Sequence, residues 1–367
     1  MDLKPEDASA VADAVRTLRA HRGSATVVGG ATLTDVADPA PSSDVLSTTA
    51  LDDIVRYEPA DLTLTCGSGV TLAALNAALE VSSQTLPMWH PAPEQATVGG
   101  LVAFGWTGLG RTLYGPLRDR VLEVHAVTGA GRAVRGGGKV VKNVTGFDLP
   151  RLFCGSMGTL GVLVELTIKV QPEPEPLHGV VVDASDPVTA TTMARRTLDE
   201  VRMPVEALLC RASDGWRLEV FAPGPSTDAE TLLAPFGGEP VEEADVRFDA
   251  IARAPVLAGG SSGEVGVKIA VPPSAVAELC GTLRGADEAV VDVGSGLVWA
   301  TVEVATAADA RALVERAGGT LVLQRAPADV RRRLGTWGTP PATLEIMARL
   351  RDSFDPDRVL NPGRFVV

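Results

Sequence analysis

The most informative stretch of this sequence is Thr97-Val-Gly-Gly-Leu-Val-Ala-Phe-Gly-Trp-Thr-Gly-Leu-Gly110. It places five glycines in one short apolar run: Gly99, Gly100, Gly105, Gly108 and Gly110. Glycine at this density weakens a helix or a strand, but it suits backbone that takes positive φ or lies against a flat ligand. A small-residue helix packed closely on a neighbour is the alternative interpretation, and this run alone leaves both open.

A second glycine cluster favours the ligand interpretation. Gly155-Ser-Met-Gly-Thr-Leu-Gly161 leads directly into Val162–Val170, where apolar residues alternate with other residues as in a strand. Tight turns with free N–H groups at the mouth of a sheet suit an anionic, planar cofactor.

Composition excludes several function classes. The chain has 367 residues, 45% of them hydrophobic and 22% charged, which is enough for two domains of a soluble protein. Its net charge of −13 disfavours nucleic acid and anionic membrane surfaces as partners. The four cysteines include no Cys-x-x-Cys pair, and the four histidines are scattered along the chain. We therefore expect no metal site, neither a zinc site nor an iron–sulfur cluster. With no signal peptide and no apolar run of transmembrane length, we expect a cytoplasmic protein without direct membrane insertion.

The N-terminal half alternates helices and strands. Pro5–Ala20 is a predicted helix, and Ala25–Val28 is a predicted strand that runs into the turn Gly29–Thr34. That turn does not match G-x-G-x-x-G, so no Rossmann fingerprint is indicated. Further strands are expected at 45–51, 61–66 and 119–128, and Thr71 is expected to cap a helix.

Two loops have ambiguous patterns. Leu86–Glu94 is pinned by three prolines and carries His90, which is more often an incidental residue than a site residue in such a loop. Gly136–Asp148 combines glycines with Lys139, Lys142 and Asn143 and has no helical or strand periodicity. It is either a solvated loop or a loop that lies along a ligand.

A domain boundary is predicted at residues 172–176. Pro172-Glu-Pro-Glu-Pro176 is a stiff, extended connector. After it, strands joined by short turns such as Gly294-Ser-Gly296 favour antiparallel pairing, in two loosely repeated β-α-β-β units. The chain then ends with an amphipathic helix at 343–354 and a turn at Asn361-Pro-Gly363.

Several of these motifs together resemble a known family. They are Leu86–Pro93, Thr97–Ala103, Gly115–Val121, Lys142–Leu149, Gly155–Val162 and the Leu-Asn-Pro-Gly sequence of the tail. In this order they are similar to the FAD-binding subunits of glycolate oxidase, within the vanillyl-alcohol-oxidase type of FAD enzymes. The resemblance covers essentially the whole chain, and is strong at 60–170 and in the last fifteen residues.

The resemblance implies an α+β fold in four parts. A PCMH-type FAD-binding domain of two α+β subdomains would span residues 1–171, followed by the linker 172–176. An α+β cap domain with an antiparallel sheet would span 177–335. Residues 336–367 would return to the FAD domain as a C-terminal helix and tail.

The resemblance also assigns cofactor-binding residues. Gly29 would begin the first loop that binds the pyrophosphate of FAD. Thr97 would precede a helix whose first N–H groups also contact the pyrophosphate. Asn361 would lie near the isoalloxazine ring. The full set of implied FAD-binding residues is Gly29, Gly30, Ala31, Thr32, Thr97, Gly99, Gly100, Gly105, Thr107, Asn143, Thr145, Gly146, Asp148, Gly155, Gly158, Gly161 and Asn361.

Cofactor chemistry and partners follow from the same resemblance. Covalent flavin attachment in such enzymes uses a histidine or cysteine in the flavin loops. Neither residue type occurs in Gly29–Thr34, so noncovalent FAD is expected. The implied partners are a larger flavoprotein subunit, an iron–sulfur subunit that leads to the membrane, and a small 2-hydroxy-acid substrate. The scattered histidines do not reproduce the metal-centred cluster of catalytic relatives, so no catalytic residue is assigned.

Three functions remain open at this point. The chain is an FAD-binding subunit of a glycolate oxidase or dehydrogenase complex, an independent FAD-dependent 2-hydroxy-acid dehydrogenase, or a structural subunit that has lost flavin turnover. The glycine clusters disfavour the third, because a scaffold has no need of so much unusual backbone.

Overall fold

The computed structural model describes residues 1–33, 42, 44–106, 108–138, 146–201, 204–212, 215–253 and 263–367. The strands of the first half are β1 (Asp2–Leu3), β2 (Ala25–Val28), β3 (Asp44–Ser47), β4 (Ile54–Glu58), β5 (Thr63–Gly67), β6 (Gln84–Thr85), β7 (Val121–Thr128), β8 (Ala133–Gly137), β9 (Gly161–Lys169) and β10 (Gln171–Pro172). The helices of this half are α1 (Ala8–Ala20), α2 (Leu72–Glu80), α3 (Val98–Phe104), α4 (Arg111–Tyr114) and α5 (Leu149–Phe153).

Two main sheets organise this half. An antiparallel sheet has the order β4-β5-β9-β7-β8, and a parallel sheet has the order β1-β3-β2. The strand predicted from the alternating pattern after Gly161 is confirmed as β9, whose Val162, Leu166 and Ile168 are fully buried. Leu360, near the end of the chain, forms a parallel bridge with Ala25 of β2.

Local capping explains where the first elements begin and end. Asp7 caps α1 by accepting the Ala10 N–H at 2.7 Å, so the helix begins later than the predicted Pro5. The strand predicted at 45–51 is wrong in its second half, because a turn closed by Leu51 N–H and Thr48 O at 3.0 Å follows β3. The predicted connector at 172–176 begins inside a strand, because Pro172 belongs to β10, which pairs with β6.

The glycine run forms α3 and the turn after it. Gly105 ends α3 with φ of 69°, and a Cβ placed there would lie 2.8 Å from the Cα of Gly155. The two glycine clusters therefore touch backbone to backbone. A Cβ on Gly99 would lie 2.5 Å from Cβ of Ser68, so close helix packing does account for this glycine.

The second half is built on one large sheet. Its strands are β11 (Leu177–Ala184), β12 (Glu206–Ala212), β13 (Gly215–Pro223), β14 (Glu239–Pro240), β15 (Glu264–Ala270), β16 (Glu288–Asp292), β17 (Leu297–Glu303) and β18 (Thr320–Arg325). Its helices are α6 (Pro187–Glu200), α7 (Ser226–Leu233), α8 (Ala244–Arg253), α9 (Val276–Thr282), α10 (Val304–Arg316), α11 (Ala328–Leu334) and α12 (Leu344–Phe354).

The sheet is antiparallel, with the order β14-β11-β13-β12-β16-β17-β15-β18. The predicted repeat is confirmed: β11-α6-β12-β13 and β15-α9-β16-β17 are the two units, and they join through the β12–β16 pair. The α+β class predicted from the sequence is confirmed as well. No helix in the described ranges is both long and apolar enough to cross a bilayer.

The two halves meet on one face of the large sheet. Phe248 of α8, Leu208 and Trp299 of the sheet and Leu109 of the glycine run share one buried cluster. The sequence analysis missed α8, although its apolar residues follow a helical spacing from Ala244 through Phe248 to Ile251.

Candidate cofactor-binding cleft

A cleft lies where β2, α3 and the C-terminal tail meet. Its volume is about 690 Å³ with its open mouth included, and its walls include apolar residues such as Leu101, Phe104 and Leu163. A mainly apolar cleft with a few placed polar groups is typical of a cofactor site. The walls contain these residues from the predicted set: Gly29, Gly30, Ala31, Thr32, Thr97, Gly99, Gly100, Gly158, Gly161 and Asn361.

The turn after β2 offers backbone donors to this cleft. Ala31 takes a left-handed φ of 57°. The N–H groups of Gly29, Gly30 and Thr32 donate to no acceptor within the described part of the chain. Successive N–H groups in a turn that contains a left-handed residue form a concave anion-binding site. This turn therefore has the chemistry to hold a pyrophosphate.

Close backbone packing explains the two glycines of this turn. A Cβ on Gly30 would lie 1.6 Å from the carbonyl oxygen of Gln95. A Cβ on Gly29 would lie 2.0 Å from Oγ1 of Thr97. Any side chain at either position would push the turn away from the segment that precedes α3.

The start of α3 does not offer free donors, which corrects the prediction made for it. The N–H groups of Val98 and Gly99 donate to the carbonyl oxygens of Val70 and Ser68, each at 2.8 Å. The N–H of Gly100 donates to Oγ1 of Thr97 at 3.2 Å, because Thr97 caps its own helix. Gly100 still faces the cleft: a Cβ there would meet only Thr97 Oγ1 within 4 Å, at 3.0 Å.

Asn361 forms part of the cleft wall by joining chain segments. Its Oδ1 accepts the Val27 N–H at 2.8 Å, and its Nδ2 donates to the carbonyl oxygen of Met157 at 2.8 Å. The residue is 2% exposed. The amide is thus engaged with protein backbone at both ends and fixes two segments of the cleft wall to each other. Its predicted place near the flavin ring stays a prediction.

Other predicted residues lie elsewhere or outside the described part. Gly105 and Gly155 pack against each other and are not wall residues. Gly146 is exposed, and Asp148 is an exposed cap of α5 that accepts the Arg151 N–H at 3.1 Å. Thr107, Asn143 and Thr145 fall outside the described residues.

Arg364 and Ser68 are among the wall residues that were not predicted from the sequence. Arg364 is 7% exposed, donates to the carbonyl oxygen of Leu33 at 2.6 Å, and is the sole charged side chain among the described wall residues. Ser68, 1% exposed, has a buried Oγ without a hydrogen-bond partner. The signals were modest: Arg364 directly follows the Asn361-Pro-Gly363 turn, and Ser68 lies between two glycines after β5.

These features fit an anionic dinucleotide such as FAD. The described walls carry free N–H donors, one cation and an orphaned hydroxyl, and they contain no carboxylate that would repel a pyrophosphate. The apolar residues offer surfaces for flat rings. A buried hydroxyl without a partner costs free energy, so a ligand that bonds to Ser68 is favoured.

His90 lies away from this cleft. Its Nδ1 accepts the Ala92 N–H at 3.1 Å, and its ring packs on Trp106 with centroids 4.7 Å apart. Burial lowers the pKa of His90 from 6.5 to about 4. The ring is therefore neutral near pH 7 and is a buried packing residue.

One known family matches the N-terminal part of the chain. Residues 2–137 match the family described as FAD binding domain. The match includes the donor turn after β2 and the whole of α3.

Curated relatives are glycolate and lactate enzymes. Glycolate oxidase subunit GlcE of Escherichia coli is 48% identical over 122 residues, which are 33% of this chain and 35% of that protein. D-lactate dehydrogenase of Archaeoglobus fulgidus is 37% identical over 145 residues, which are 40% and 32% of the two chains. Glycolate oxidase subunit GlcD of Bacillus subtilis is 34% identical over 154 residues, which are 42% and 32%. The matches thus span about a third of each relative's length, and the resemblance seen in the sequence is confirmed.

Solved structures share the fold. Two crystal forms of alkyldihydroxyacetonephosphate synthase superpose with TM-scores of 0.66 and 0.67 at 14% and 13% sequence identity. They cover 99% and 98% of this chain, and this chain covers 77% and 76% of them. At this identity the likeness concerns the fold alone, and it extends over both halves of this chain.

Proposed function

We propose that this chain is the FAD-binding subunit of a glycolate oxidase or dehydrogenase complex, which converts glycolate to glyoxylate and passes the electrons to partner subunits. The observation that carries the proposal is the 48% identity to subunit GlcE of glycolate oxidase. The cleft with unpaired donors supports it, because a chain that only filled space would have no use for them.

FAD is proposed to bind noncovalently in the cleft. The described wall residues include neither histidine nor cysteine, so they offer no side chain for the covalent link. The N–H groups of Gly29, Gly30 and Thr32 would hold the pyrophosphate, with Arg364 as its counter-charge. When bound, FAD supplies the two-electron acceptor for oxidation of an alcohol carbon.

The proposed domain organisation keeps the predicted boundaries: an FAD-binding domain at 1–171, a linker at 172–176, a cap at 177–335 and a returning tail at 336–367. The separate sheets support this division, since one is formed by strands between 54 and 169 and the other by strands between 177 and 325. The bridge from Leu360 to Ala25 supports a returning tail.

The proposed partners are a larger flavoprotein subunit and an iron–sulfur subunit, in a cytoplasmic assembly that reaches the membrane through those subunits. Two relatives are themselves named as subunits of glycolate oxidase, which supports an assembly. A chain that oxidises a substrate also needs an electron acceptor. The described residues include no group of three or more His, Cys, Asp or Glu residues that could hold a metal ion, so a partner would have to supply a metal-containing acceptor.

An independent dehydrogenase is the second candidate. The 37% identity to a D-lactate dehydrogenase favours it, because that relative is not named as a subunit. A structural subunit without flavin turnover, the third, has no such support and conflicts with the free donors of the cleft.

Anaerobic flavin reduction separates these candidates. The FAD-loaded full chain, alone and in the complex purified from its native cell, is mixed with glycolate or D-lactate while absorbance near the flavin maximum is followed. Reduction in the complex only supports the subunit, and reduction by the isolated chain supports the independent dehydrogenase. Bound flavin that neither acid reduces in either preparation would contradict both.

A further inference from the structure

Ser68 offers the cleft a hydroxyl group that the protein itself does not use. The residue lies in the cleft wall and is 1% exposed, and its Oγ has no hydrogen-bond partner among the described residues. Its backbone is already engaged, because its N–H donates to the carbonyl oxygen of Val164 and its carbonyl oxygen accepts the N–H of Gly99, each at 2.8 Å. The hydroxyl is therefore the group of Ser68 that remains for a ligand.

Close packing on two sides fixes the position of this hydroxyl. The next residue, Gly69, packs so tightly on Thr48 that a Cβ on Gly69 would overlap the Thr48 carbonyl oxygen. On the other side, a Cβ on Gly99 would lie 2.5 Å from Cβ of Ser68. Ser68 is thus held between the segment after β3 and α3, and it cannot move toward another partner without displacing one of them.

The same two neighbours connect Ser68 to the turn that carries the free donors. Thr48 donates its N–H at 2.9 Å to the carbonyl oxygen of Val28, which directly precedes the turn at Gly29–Thr32. Thr97, which caps the helix that packs on Ser68, also touches this turn, since a Cβ on its first glycine would overlap Thr97 Oγ1. This position favours a pyrophosphate at the donor turn over a flavin ring as the partner of the hydroxyl.

The energetics of burial point to an anionic partner. A buried hydroxyl without a hydrogen bond has lost its contact with water and has gained nothing in exchange. A hydrogen bond to a charged oxygen, such as that of a phosphate, is stronger than one to a neutral acceptor. A phosphate oxygen within reach of Ser68 would therefore recover on binding the free energy that the orphaned hydroxyl costs the flavin-free chain.

We propose that the Ser68 hydroxyl donates a hydrogen bond to the pyrophosphate of FAD, and that this contact comes at the expense of the stability of the flavin-free chain. The inference deepens the proposed function and rests on its placement of the pyrophosphate at the Gly29–Thr32 turn. Removal of the hydroxyl then has two separable effects: it weakens binding, and it does not destabilise the fold.

Ser68→Ala in the full chain tests both effects. Dissociation constants for FAD, ADP and riboflavin are measured by calorimetry after bound flavin has been removed. We expect about tenfold weaker binding of FAD and of ADP, which both carry a pyrophosphate, and unchanged binding of riboflavin, which carries none. The unfolding temperature of the flavin-free variant should equal or exceed that of the wild type, because the orphaned hydroxyl is gone.

Ser156→Ala is the matched control. Ser156 is also buried, at 6% exposed, and its Oγ also has no partner within the described part of the chain, but it does not line the cleft. Its substitution removes an orphaned hydroxyl of the same kind from a different place. All three dissociation constants should therefore stay at their wild-type values.

The outcomes separate this contact from the proposed function. Wild-type FAD and ADP affinities in Ser68→Ala would overturn the contact, and so would a loss of affinity for riboflavin as large as that for FAD. A flavin-free Ser68→Ala chain that unfolds below the wild type would give the hydroxyl a structural role instead. Weaker FAD and ADP binding with unimpaired stability supports the contact even if neither glycolate nor D-lactate reduces the flavin, a result that would contradict the proposed function alone.

Discussion

Asn361 fixes the C-terminal tail to the strand that leads into the donor turn: its Oδ1 accepts the N–H of Val27 at 2.8 Å. Its own N–H donates to the carbonyl oxygen of Ala25 at 3.0 Å, and its Nδ2 bonds to the carbonyl oxygen of Met157. A Cβ on Gly158 would lie 2.7 Å from that Nδ2, so a glycine is needed for this contact. One side chain thus links two walls of the cleft.

Removing this link should weaken flavin binding. In Asn361→Ala two buried hydrogen bonds at about 0.5–1.5 kcal/mol each are lost, which corresponds to roughly tenfold weaker FAD binding. Deletion of residues 361–367 should weaken it further, because Arg364 is lost as well. The FAD dissociation constant, measured by quenching of flavin fluorescence, checks this.

Asn361→Asp is the informative companion, since it keeps an acceptor for Val27 and loses the donor to Met157. It should weaken FAD binding at least as much as Asn361→Ala, because its buried carboxylate faces the Met157 carbonyl oxygen and adds a negative charge to a wall whose described residues carry none. Equal dissociation constants for all these chains would mean that the tail has no part in the cleft.

A side chain at Gly100 should obstruct the cleft. Gly100→Val places a branched side chain into space that is open apart from Thr97 Oγ1, so FAD content after purification should fall sharply. Gly285→Val is the matched control, because a Cβ there meets nothing within 4 Å and its φ is not in the left-handed range. Wild-type FAD content in Gly100→Val would show that the phosphate region lies elsewhere.

Arg364 should act on the pyrophosphate and not on the ring. Arg364→Met should weaken FAD binding by about tenfold or more and make the remaining affinity less sensitive to salt, because a charge-assisted contact is lost. Riboflavin, which has no phosphate, should bind both chains alike. Arg349→Met, at an exposed position on α12, is the control. A parallel loss for riboflavin and FAD would assign Arg364 a purely structural role.

The sequence predicts the framework well and the contacts of the site less well. The alternation in β9 and the repeated β-α-β-β order were visible because strand burial follows a period of two residues. The N–H groups of Gly29, Gly30 and Thr32 have no acceptor among the described residues, whereas those at the start of α3 are occupied. That the turn binds the pyrophosphate stays a prediction. A motif shows that glycines stand at a helix start, but not that Val70 and Ser68 occupy their N–H groups.

Long-range contacts account for the other differences. The target of Asn361 could not be predicted, because its partners Val27 and Met157 are distant in sequence and are brought together only by the bridge from Leu360 to Ala25. Arg364 was missed for the same reason. Local spacing marks turns and helices, whereas a wall built from three distant segments depends on the tertiary fold.

Burial of neutral His90 predicts a specific pH dependence of stability. Its pKa is about 4 when folded and 6.5 when exposed, so the unfolded chain binds a proton more readily. This contribution to stability is complete above pH 6.5 and is lost as pH falls toward 4, by up to about 3 kcal/mol. Urea midpoints between pH 7 and 4 should fall more steeply for wild type than for His90→Gln.

His21→Gln, at an exposed position at the end of α1, serves as the control and should keep the steep fall. Parallel profiles for wild type and His90→Gln would mean that His90 is not the group responsible.

We infer that this chain binds FAD noncovalently in the cleft formed by the Gly29–Thr32 turn, α3 and the tail. The direct measurement is to denature the purified yellow protein with acid or heat, remove the precipitate, and quantify flavin in the supernatant against protein. We expect about one FAD released per chain from wild type and far less from Gly100→Val, with no flavin left on the precipitate. Flavin that stays with the denatured chain, or a wild-type protein that takes up no FAD, would contradict it.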